Sequence, residues 1–256
     1  MQDLTVAILQ FDQVWEDKQA NFEKIQSFLR QASSIDLLLL PEMFQTGFSM
    51  NIALAESMEN SESILFLTKV AHEKQCAIYT SFIVQDQGNY FNRGLFLYPD
   101  GTSYYYDKRQ SFGLGGEDRV FQAGTTEMIV SYLGWKFNLQ ICYDLRFPEL
   151  IRNRIEGQDA AYDVLLYVAN WPSKRIQHWD ALVMARAIEN QSYVLACNRV
   201  GTDGMQLAYN GHSQVLTMFG EQLGFLDQNE GLLQVKLSAN ALQMGREQLP
   251  FLKDRK

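Results

Sequence analysis

Histidine is scarce in this chain of 256 residues, which contains only His72, His178 and His212. None of the three follows a strand-like run, so the pattern argues against a Cys-His pair of the papain type. The chain also lacks the Cys-x-x-Cys and His-Glu-x-x-His spacings that are typical of zinc sites. We therefore expect no bound metal. Any hydrolytic mechanism should use catalytic residues other than histidine.

Cysteine is equally rare. Cys76, Cys142 and Cys197 are too few for a disulfide framework and are typical of a reducing compartment, so we expect a cytoplasmic protein. No apolar run approaches the length that would span a bilayer, and the first residues show no secretory signal. These absences predict no role at a membrane.

Basic residues are in deficit. Lys and Arg number 22 against 30 Asp and Glu, a net charge of −8, which argues against non-specific binding to nucleic acid. Hydrophobic residues make up 46% and charged residues 20%, as in ordinary globular proteins. No repeat, low-complexity tract or linker interrupts the chain, so we expect one domain over residues 1–256.

Strand-like and helix-like patterns alternate along both halves of the chain. The predicted strands are 5–10, 37–40, 76–84, 163–169 and 193–197, with helices between them, and the hairpin-like segments are 92–106 and 214–237. The first hairpin turns at Pro99-Asp100-Gly101. Two β-α-β halves joined by hairpins predict an α/β protein with two mixed sheets face to face and helices outside.

Five polar residues each follow a strand-like run: Glu42, Lys108, Cys142, Asn170 and Asn198. Ligands of open α/β sheets bind beyond the carboxyl ends of the strands, so these side chains are candidates for one common pocket. A thiol at such a position, with free backbone N–H groups after it, is well placed for nucleophilic attack. The alternative is a cysteine that packs as a small hydrophobe.

Glu42 and Lys108 are candidate partners of this thiol. A buried carboxylate can replace histidine as the general base, and an ammonium together with the N–H of Tyr143 can stabilise an oxyanion. Taken singly, a glutamate or a lysine at such a position is more often a solvated surface residue. Residues 113–116, which contain three glycines, do not form a phosphate-binding motif and are predicted to be a flexible loop.

Five segments in this order resemble motifs of the nitrilase, or carbon-nitrogen hydrolase, superfamily. They are residues 40–44 (LPEMF), 106–109 (YDKR), 141–148 (ICYDLRFP), 169–172 (ANWP) and 185–191 (ARAIENQ). The resemblance implies a four-layer α-β-β-α sandwich with two mixed six-stranded sheets, no cofactor, and pairing into a homodimer. Residues 43–50 (MFQTGFSM) most resemble the omega-amidase branch, which hydrolyses the distal amide of 2-oxoglutaramate or 2-oxosuccinamate.

The same resemblance implies roles for individual residues. Glu42 is similar to the family's general base, Lys108 to its oxyanion-stabilising lysine and Cys142 to its nucleophile. Glu117 resembles a second glutamate that positions Lys108 or the substrate. Gln110 stands where many relatives have histidine, which puts local substrate contacts in doubt.

The candidate substrate contacts are Tyr143, Arg146, Phe44, Phe147, Asn170 and Trp171. Arg146 is a candidate anchor for a substrate carboxylate, because a guanidinium binds this group with two hydrogen bonds. The alternative is an internal ion pair of Arg146 with Asp144 or Glu149. The three aromatic residues are candidate pocket walls and, alternatively, plain core residues.

Other functions remain compatible with these motifs. An N-carbamoyl-amine hydrolase or a deaminated-glutathione amidase would have the same fold, whereas a nitrile hydrolase is disfavoured by the short chain. From a different class, a non-catalytic binding protein could retain the fold. The presence of all three residues, Glu42, Lys108 and Cys142, argues against that alternative.

Overall fold

The structure, a computed structural model, describes residues 1–255. Within them the chain forms sixteen strands and four α-helices. In chain order these are β1 (Leu4–Gln10), α1 (Lys18–Leu29), β2 (Leu37–Leu39), α2 (Glu62–Lys74), β3 (Ala77–Asp86), β4 (Asn89–Leu97), β5 (Ser103–Asp107), β6 (Ile129–Tyr132), β7 (Trp135–Ile141), β8 (Ile155–Glu156), β9 (Asp159–Ala160), β10 (Val164–Val168), α3 (Ile176–Asn190), β11 (Tyr193–Cys197), β12 (Val200–Thr202), β13 (Ala208–Asn210), β14 (Ser213–Leu216), β15 (Gln222–Leu226), β16 (Gly231–Leu237) and α4 (Ala239–Gln248).

Two six-stranded sheets carry the fold. Their strand orders are β16-β1-β2-β3-β4-β5 and β15-β14-β11-β10-β7-β6. Each has three parallel strands at its centre, β1-β2-β3 in one and β7-β10-β11 in the other, flanked by antiparallel strands. Both sheets are therefore mixed, and the predicted pair of mixed six-stranded sheets is confirmed.

Strand β1 shows how the layers are assembled. Val6 and Ile8 lie in one apolar cluster with Leu139 of the opposite sheet, whereas Ala7 and Leu9 belong to a second cluster with α1 and α2. Successive strand residues point to opposite faces, so each sheet buries one face against its partner and the other under helices. The arrangement is the predicted α-β-β-α sandwich.

The helices begin where local hydrogen bonding allows them to. Asp17 caps α1 by accepting a hydrogen bond from the N–H of Ala20 at 3.0 Å, a contact worth about 1 kcal/mol in typical helices. Phe22 and Ile25 of α1 are buried against the first sheet, and Trp179 of α3 is buried against the second. None of the helices formed by residues 1–255 has the length and apolar character needed to cross a membrane.

The predicted hairpin over residues 214–237 is only half correct. Strands β14 and β15 do pair with each other, but β16 leaves this sheet and pairs antiparallel with β1 of the first sheet. Turn residues reveal where a chain reverses and not which partner the next strand takes, so the local pattern could not show this. The sequence reasoning also missed α4, although its cap Ser238 accepts from the N–H of Ala241.

Candidate active site

Polar side chains from both sheets meet at the ends of the central strands. Glu42 and Lys108 follow β2 and β5 of the first sheet, and Cys142 and Asn170 follow β7 and β10 of the second. The N–H of Asn170 donates to Oε2 of Glu42 at 2.9 Å, so a hydrogen bond joins the two sheets here. Because both sheets direct their strand ends to one place, residues far apart in the chain become neighbours.

Lys108 lies between two carboxylates. Its Nζ is 2.8 Å from Oε1 of Glu42 and 2.8 Å from Oε2 of Glu117, and all three side chains are at most 2% exposed. Asn92 of β4 donates from Nδ2 to both carboxylates, at 2.8 and 2.9 Å. Burial alone would lower the pKa of Lys108, but the charges of Glu117 and Glu42 outweigh it and raise that pKa. The ammonium therefore stays charged and forms a buried cluster with the two carboxylates that flank it.

Glu117 reaches this cluster from the segment predicted to be a flexible loop. Residues 113–115 and 117–119 instead form two 3-10 turns, and Gly116 between them has φ 76°. The N–H of Phe112 donates to Oε2 of Glu117 at 2.6 Å. Glycine adopts this left-handed conformation without steric cost, so the turn can direct the Glu117 carboxylate inward.

Cys142 starts a 3-10 turn, Cys142–Arg146, at the end of β7 and has φ 45°. A positive φ is uncommon for a residue other than glycine and marks strain that the surrounding structure must hold. Asp144 does so by accepting a hydrogen bond from the N–H of Ile141 at 3.0 Å. Because the N–H of Tyr143 is among the first of the turn, it has no acceptor within the turn.

Asp144 also ties the turn to the strand that carries Lys108. Its carboxylate accepts from the hydroxyl of Tyr106 at 2.8 Å and from the N–H of Gln110 at 2.9 Å. Burial raises the pKa of Asp144 to about 6, against the lowering effect of these hydrogen bonds and of Lys108. Asp144 thus connects the two loops that bear the thiol and the ammonium.

The thiol of Cys142 is protonated in this setting. Burial raises its pKa well above the usual value, the negative charge of Glu42 raises it further, and Lys108 opposes both. The side chain is buried, and Sγ lies 3.9 Å from the carbonyl oxygen of Asn170. Attack by this sulfur therefore requires a base that removes the proton during the reaction, and the Glu42 carboxylate is next to it.

A narrow cavity opens above Cys142. The volume open to the centre of a water molecule is about 30 Å³, room for about two waters. Aromatic side chains form much of its wall: Phe48, Phe112, Tyr143, Trp171 and Tyr209. Phe112 packs edge-on against Tyr143 with ring centroids 5.1 Å apart.

Almost the whole chain matches one protein family. A sequence profile of the carbon-nitrogen hydrolase family matches residues 5–247. The chain belongs to this family. The predicted resemblance to the nitrilase superfamily is thereby confirmed, and the protein is an enzyme of the carbon-nitrogen hydrolase class.

This hydrolase is similar in sequence to curated amidases over almost its full length. It is 39% identical to omega-amidase YafV of Escherichia coli (strain K12) over 255 residues, which cover 99% of this chain and 97% of that protein. It is 33% identical to 2-oxoglutaramate amidase of Paenarthrobacter nicotinovorans, with 99% of this chain and 89% of that protein covered. These similarities confirm the omega-amidase branch.

Solved structures give the same family and fold. The hydrolase superimposes on XC1258 from Xanthomonas campestris, a CN-hydrolase superfamily protein, with a TM-score of 0.97 and 38% identity, over 100% of this chain and 98% of that one. The amidase from Nesterenkonia sp. AN1 is more distant, with a TM-score of 0.81 and 26% identity over 96% and 98% of the two chains. The shared fold therefore extends over almost the whole hydrolase.

Two of the predicted pocket walls lie elsewhere in the hydrolase. Phe44 is fully buried and stacks with Phe22 and Phe66 in the core under α1 and α2. It directly follows Met43, which has a φ of 47°. Phe147 packs edge-on against Tyr143 at 5.2 Å and supports the wall from behind. Neither residue lines the cavity.

Trp171 and Asn170 do line the cavity. Asn198 supports Trp171, because its Oδ1 accepts from the Trp171 N–H at 2.7 Å and its Nδ2 donates to the Trp171 carbonyl at 3.0 Å. The Nδ2 of Asn170 donates to the Glu42 carbonyl, while its Oδ1 has no hydrogen-bond partner among residues 1–255. Asn170 is thus fixed on one side and offers an acceptor on the other.

Arg146 also lines the cavity and makes no ion pair with Asp144 or Glu149 in the described part of the chain. Its guanidinium stacks on the ring of Trp171, 4.6 Å from the centroid, and Nη2 lies 3.2 Å from Nδ1 of His178. The alternative of an internal salt bridge is therefore wrong. The positive charge is held in place by groups that do not neutralise it.

Several residues that lie at the site were missed in the sequence: Phe48, Asn92, Phe112, Asp144, Arg175 and Tyr209. Asp144 lies in the motif at residues 141–148, which drew attention because of Cys142. The sequence shows that Asp144 is part of this motif but does not show which groups it contacts. Asn92 is in the interior of a strand, where polar residues facing the solvent are common, so nothing local marked it. Tyr209 belongs to the small pair β12–β13, which carries no long apolar run.

Proposed function

We propose that this hydrolase is an omega-amidase that cleaves the terminal carboxamide of a small carboxylic acid to an acid and ammonia. The observation that carries the proposal is a protonated thiol, Cys142, beside the buried cluster of Glu42, Lys108 and Glu117 at the base of a narrow cavity. The full-length similarity to omega-amidase YafV and to 2-oxoglutaramate amidase supports 2-oxoglutaramate or 2-oxosuccinamate as the substrate.

In the first step, Glu42 removes the thiol proton of Cys142 as Sγ attacks the carboxamide carbon. The carbonyl oxygen becomes an oxyanion, which the Lys108 ammonium and the N–H of Tyr143 stabilise. Glu42 then returns the proton to the amide nitrogen, the C–N bond breaks and ammonia leaves. A thioester between Cys142 and the acyl group remains.

In the second step, a water molecule takes the place of ammonia. Glu42 accepts a proton from this water, whose oxygen attacks the thioester carbon, and the oxyanion forms again at the same donors. Collapse of the intermediate breaks the C–S bond, and the proton held by Glu42 returns to Sγ. The acid is released and the enzyme is restored.

The remaining groups of the cluster act by positioning. Glu117 holds Lys108 together with Glu42, and Asn92 bridges the two carboxylates through its Nδ2. The unpartnered Oδ1 of Asn170 is suited to accept an N–H of the substrate carboxamide. Support for a nucleophilic role of the cysteine comes from a glutamate-to-glutamine mutant of the Nesterenkonia amidase, in which acrylamide has added to the active-site cysteine.

We further propose that residues 1–256 form one hydrolase domain that acts as a cytoplasmic homodimer. A single domain is supported by the site itself, because each sheet supplies part of it. Unpaired cysteines support a reducing compartment. The exposed apolar residues Met184 and Ile188 on α3, beside Phe219, form a face suited to a second copy of this chain. Sedimentation of the purified protein at several concentrations tests the dimer.

An ammonia-release assay tests the proposed activity. The purified protein is given 2-oxoglutaramate, glutamine, asparagine and an N-carbamoyl amine. We expect kcat/KM for 2-oxoglutaramate to exceed that for glutamine about 10²-fold or more, because the ammonium group of glutamine would face the cationic cavity wall. Faster hydrolysis of the carbamoyl amine would instead identify a carbamoyl hydrolase, and a lack of reaction with all four would refute the amidase assignment.

A further inference from the structure

Two guanidinium groups flank the mouth of the cavity. Arg146 and Arg175 both line it, one at the end of the turn that begins with Cys142 and the other directly before α3. The charge of one acts on the other, since burial lowers the pKa of Arg146 and the proximity of Arg175 lowers it further. Among residues 1–255 neither guanidinium forms a salt bridge. Two like charges thus share a partly buried site without a counter-ion.

Trp171 holds both arginines in place. The guanidinium of Arg146 stacks on the indole ring of Trp171. The indole Nε1 of Trp171 donates a hydrogen bond to the carbonyl of Arg175 at 2.8 Å. The N–H of Arg175 in turn donates to the carbonyl of Pro172 at 3.0 Å, and its guanidinium lies over Phe112, 5.3 Å from the ring centroid. Stacking on aromatic rings leaves hydrogen-bond donors at the edge of each guanidinium for a ligand, apart from the Arg146 Nη2 that faces Nδ1 of His178.

The fold adds a further positive contribution at this place. Arg175 is the N-cap of the fifteen-residue helix α3, whose first turn contains no acidic residue and whose cap makes no side-chain hydrogen bond. The amino end of a helix carries a partial positive charge. Three positive groups at the cavity mouth therefore attract an anion: Arg146, Arg175 and the amino end of α3. The carboxylates at the base of the cavity are paired with Lys108.

We propose that Arg146 and Arg175 together bind the free carboxylate of the substrate, with Arg175 as the residue that makes this hydrolase selective for monoamides of short dicarboxylic acids. This inference rests on the proposed amidase function. A bound carboxylate removes the repulsion between the two guanidinium groups and can accept hydrogen bonds from both.

The shared cavity supports this substrate class. Cys142, Arg146 and Arg175 all line it, so one short substrate can contact the thiol and both guanidinium groups. A monoamide of a dicarboxylic acid carries the carboxamide for the thiol at one end and the carboxylate for the arginines at the other.

The test compares an anionic substrate with its neutral counterpart. Glutaramate and pentanamide have the same chain length and the same carboxamide, and only the first carries a carboxylate. For Arg175→Gln we expect the ratio of their kcat/KM values to fall about 10- to 100-fold, mostly through KM for glutaramate. Arg175→Lys should restore part of the ratio, because it keeps the charge. Lys174→Gln, an exposed neighbour with the same loss of charge, is the matched control and should not change the ratio.

The outcomes separate the two proposals. An equal loss on both substrates in Arg175→Gln, or an unchanged ratio, overturns the role of Arg175 while the amidase assignment stands. If the wild-type protein releases ammonia from neither substrate nor from 2-oxoglutaramate, the proposed function itself fails. Binding of glutarate to the Cys142→Ala variant, measured by calorimetry, gives a readout without turnover, and a Kd unaffected by Arg175→Gln would also contradict the inference.

Discussion

The Nζ atom of Lys108 lies 2.8 Å from Oε2 of Glu117, and both side chains are almost completely buried. A lysine paired with a single carboxylate would be pulled towards that partner alone. With Glu117 on one side and Glu42 on the other, the ammonium is held between them and remains charged. The geometry leaves Glu42 beside the thiol while its charge is partly balanced.

Glu117→Gln is expected to lower kcat about 10²-fold with a smaller change in KM. The amide keeps the shape of the side chain but loses the charge that positions Lys108, the proposed oxyanion donor. Steady-state ammonia release measures this effect. Asp118→Asn, an exposed change in the same turn, serves as the control, and a wild-type kcat in Glu117→Gln would contradict the positioning role.

Asn92→Asp is expected to abolish measurable turnover and to destabilise the fold by about 1–3 kcal/mol. The substitution replaces the amide that donates to Glu42 and Glu117 with a third carboxylate facing both. Urea denaturation and the ammonia assay test the two effects. Asn89→Asp, on the exposed start of the same strand, makes the same chemical change outside the cluster and should behave as wild type.

Cys142→Ala should release no ammonia above background and should keep the native fold. The thiol is the proposed nucleophile, and its side chain is small, so its removal leaves a minor cavity. Circular dichroism and thermal unfolding report the fold. Cys76→Ala, a change at a buried cysteine far along the chain from the site, should retain activity. Residual turnover in Cys142→Ala would eliminate the thioester mechanism.

The raised pKa of Asp144 should make the free energy of unfolding depend on pH. Its pKa is raised by burial from 3.8 to about 6, so between these values the native state holds a proton that the unfolded state has released. Its contribution to stability therefore falls as the pH rises from about 4 to 6 and is constant above that. Relative to wild type, Asp144→Asn should gain up to ~3 kcal/mol between pH 4 and pH 7.5. Urea denaturation at both pH values measures this.

Neighbouring groups do not obscure this titration. Tyr79, Tyr106 and Tyr167 surround Asp144, and burial raises the pKa of each, so they stay neutral in the window. Tyr106→Phe removes one hydrogen bond to the carboxylate and should move the transition to higher pH. A stability difference that is flat with pH would show that Asp144 titrates normally.

Much of the architecture was readable from local patterns. The continuous apolar run before Glu42 is typical of a strand covered on both faces, and the structure buries it completely. The alternation of strands and helices was sufficient to predict two mixed sheets. Pairing of β16 with β1 was not predictable, since hydrogen bonding between residues more than 200 positions apart has no local signal.

Some residues of the candidate site could be recognised in the sequence, and others could not. Residues at strand ends, such as Glu42 and Lys108, stand out in the sequence because a polar side chain directly follows a buried run. Phe44 was misplaced because an aromatic residue beside a site looks the same whether it faces the cavity or the core. Arg175 was missed because its meaning depends on Arg146, which lies 29 positions away.

The sequence by itself determined the alternation of central strands with helices α1 to α3, the family motifs and the identity of the reactive groups. These depend on side-chain chemistry and on contacts between near neighbours in the chain. Only the tertiary structure decided that Glu117 and Asn92 share Lys108 and Glu42, and that two arginines meet without a counter-ion. Charge balance and orientation arise between elements packed across two sheets, and those distances exist only in the folded chain.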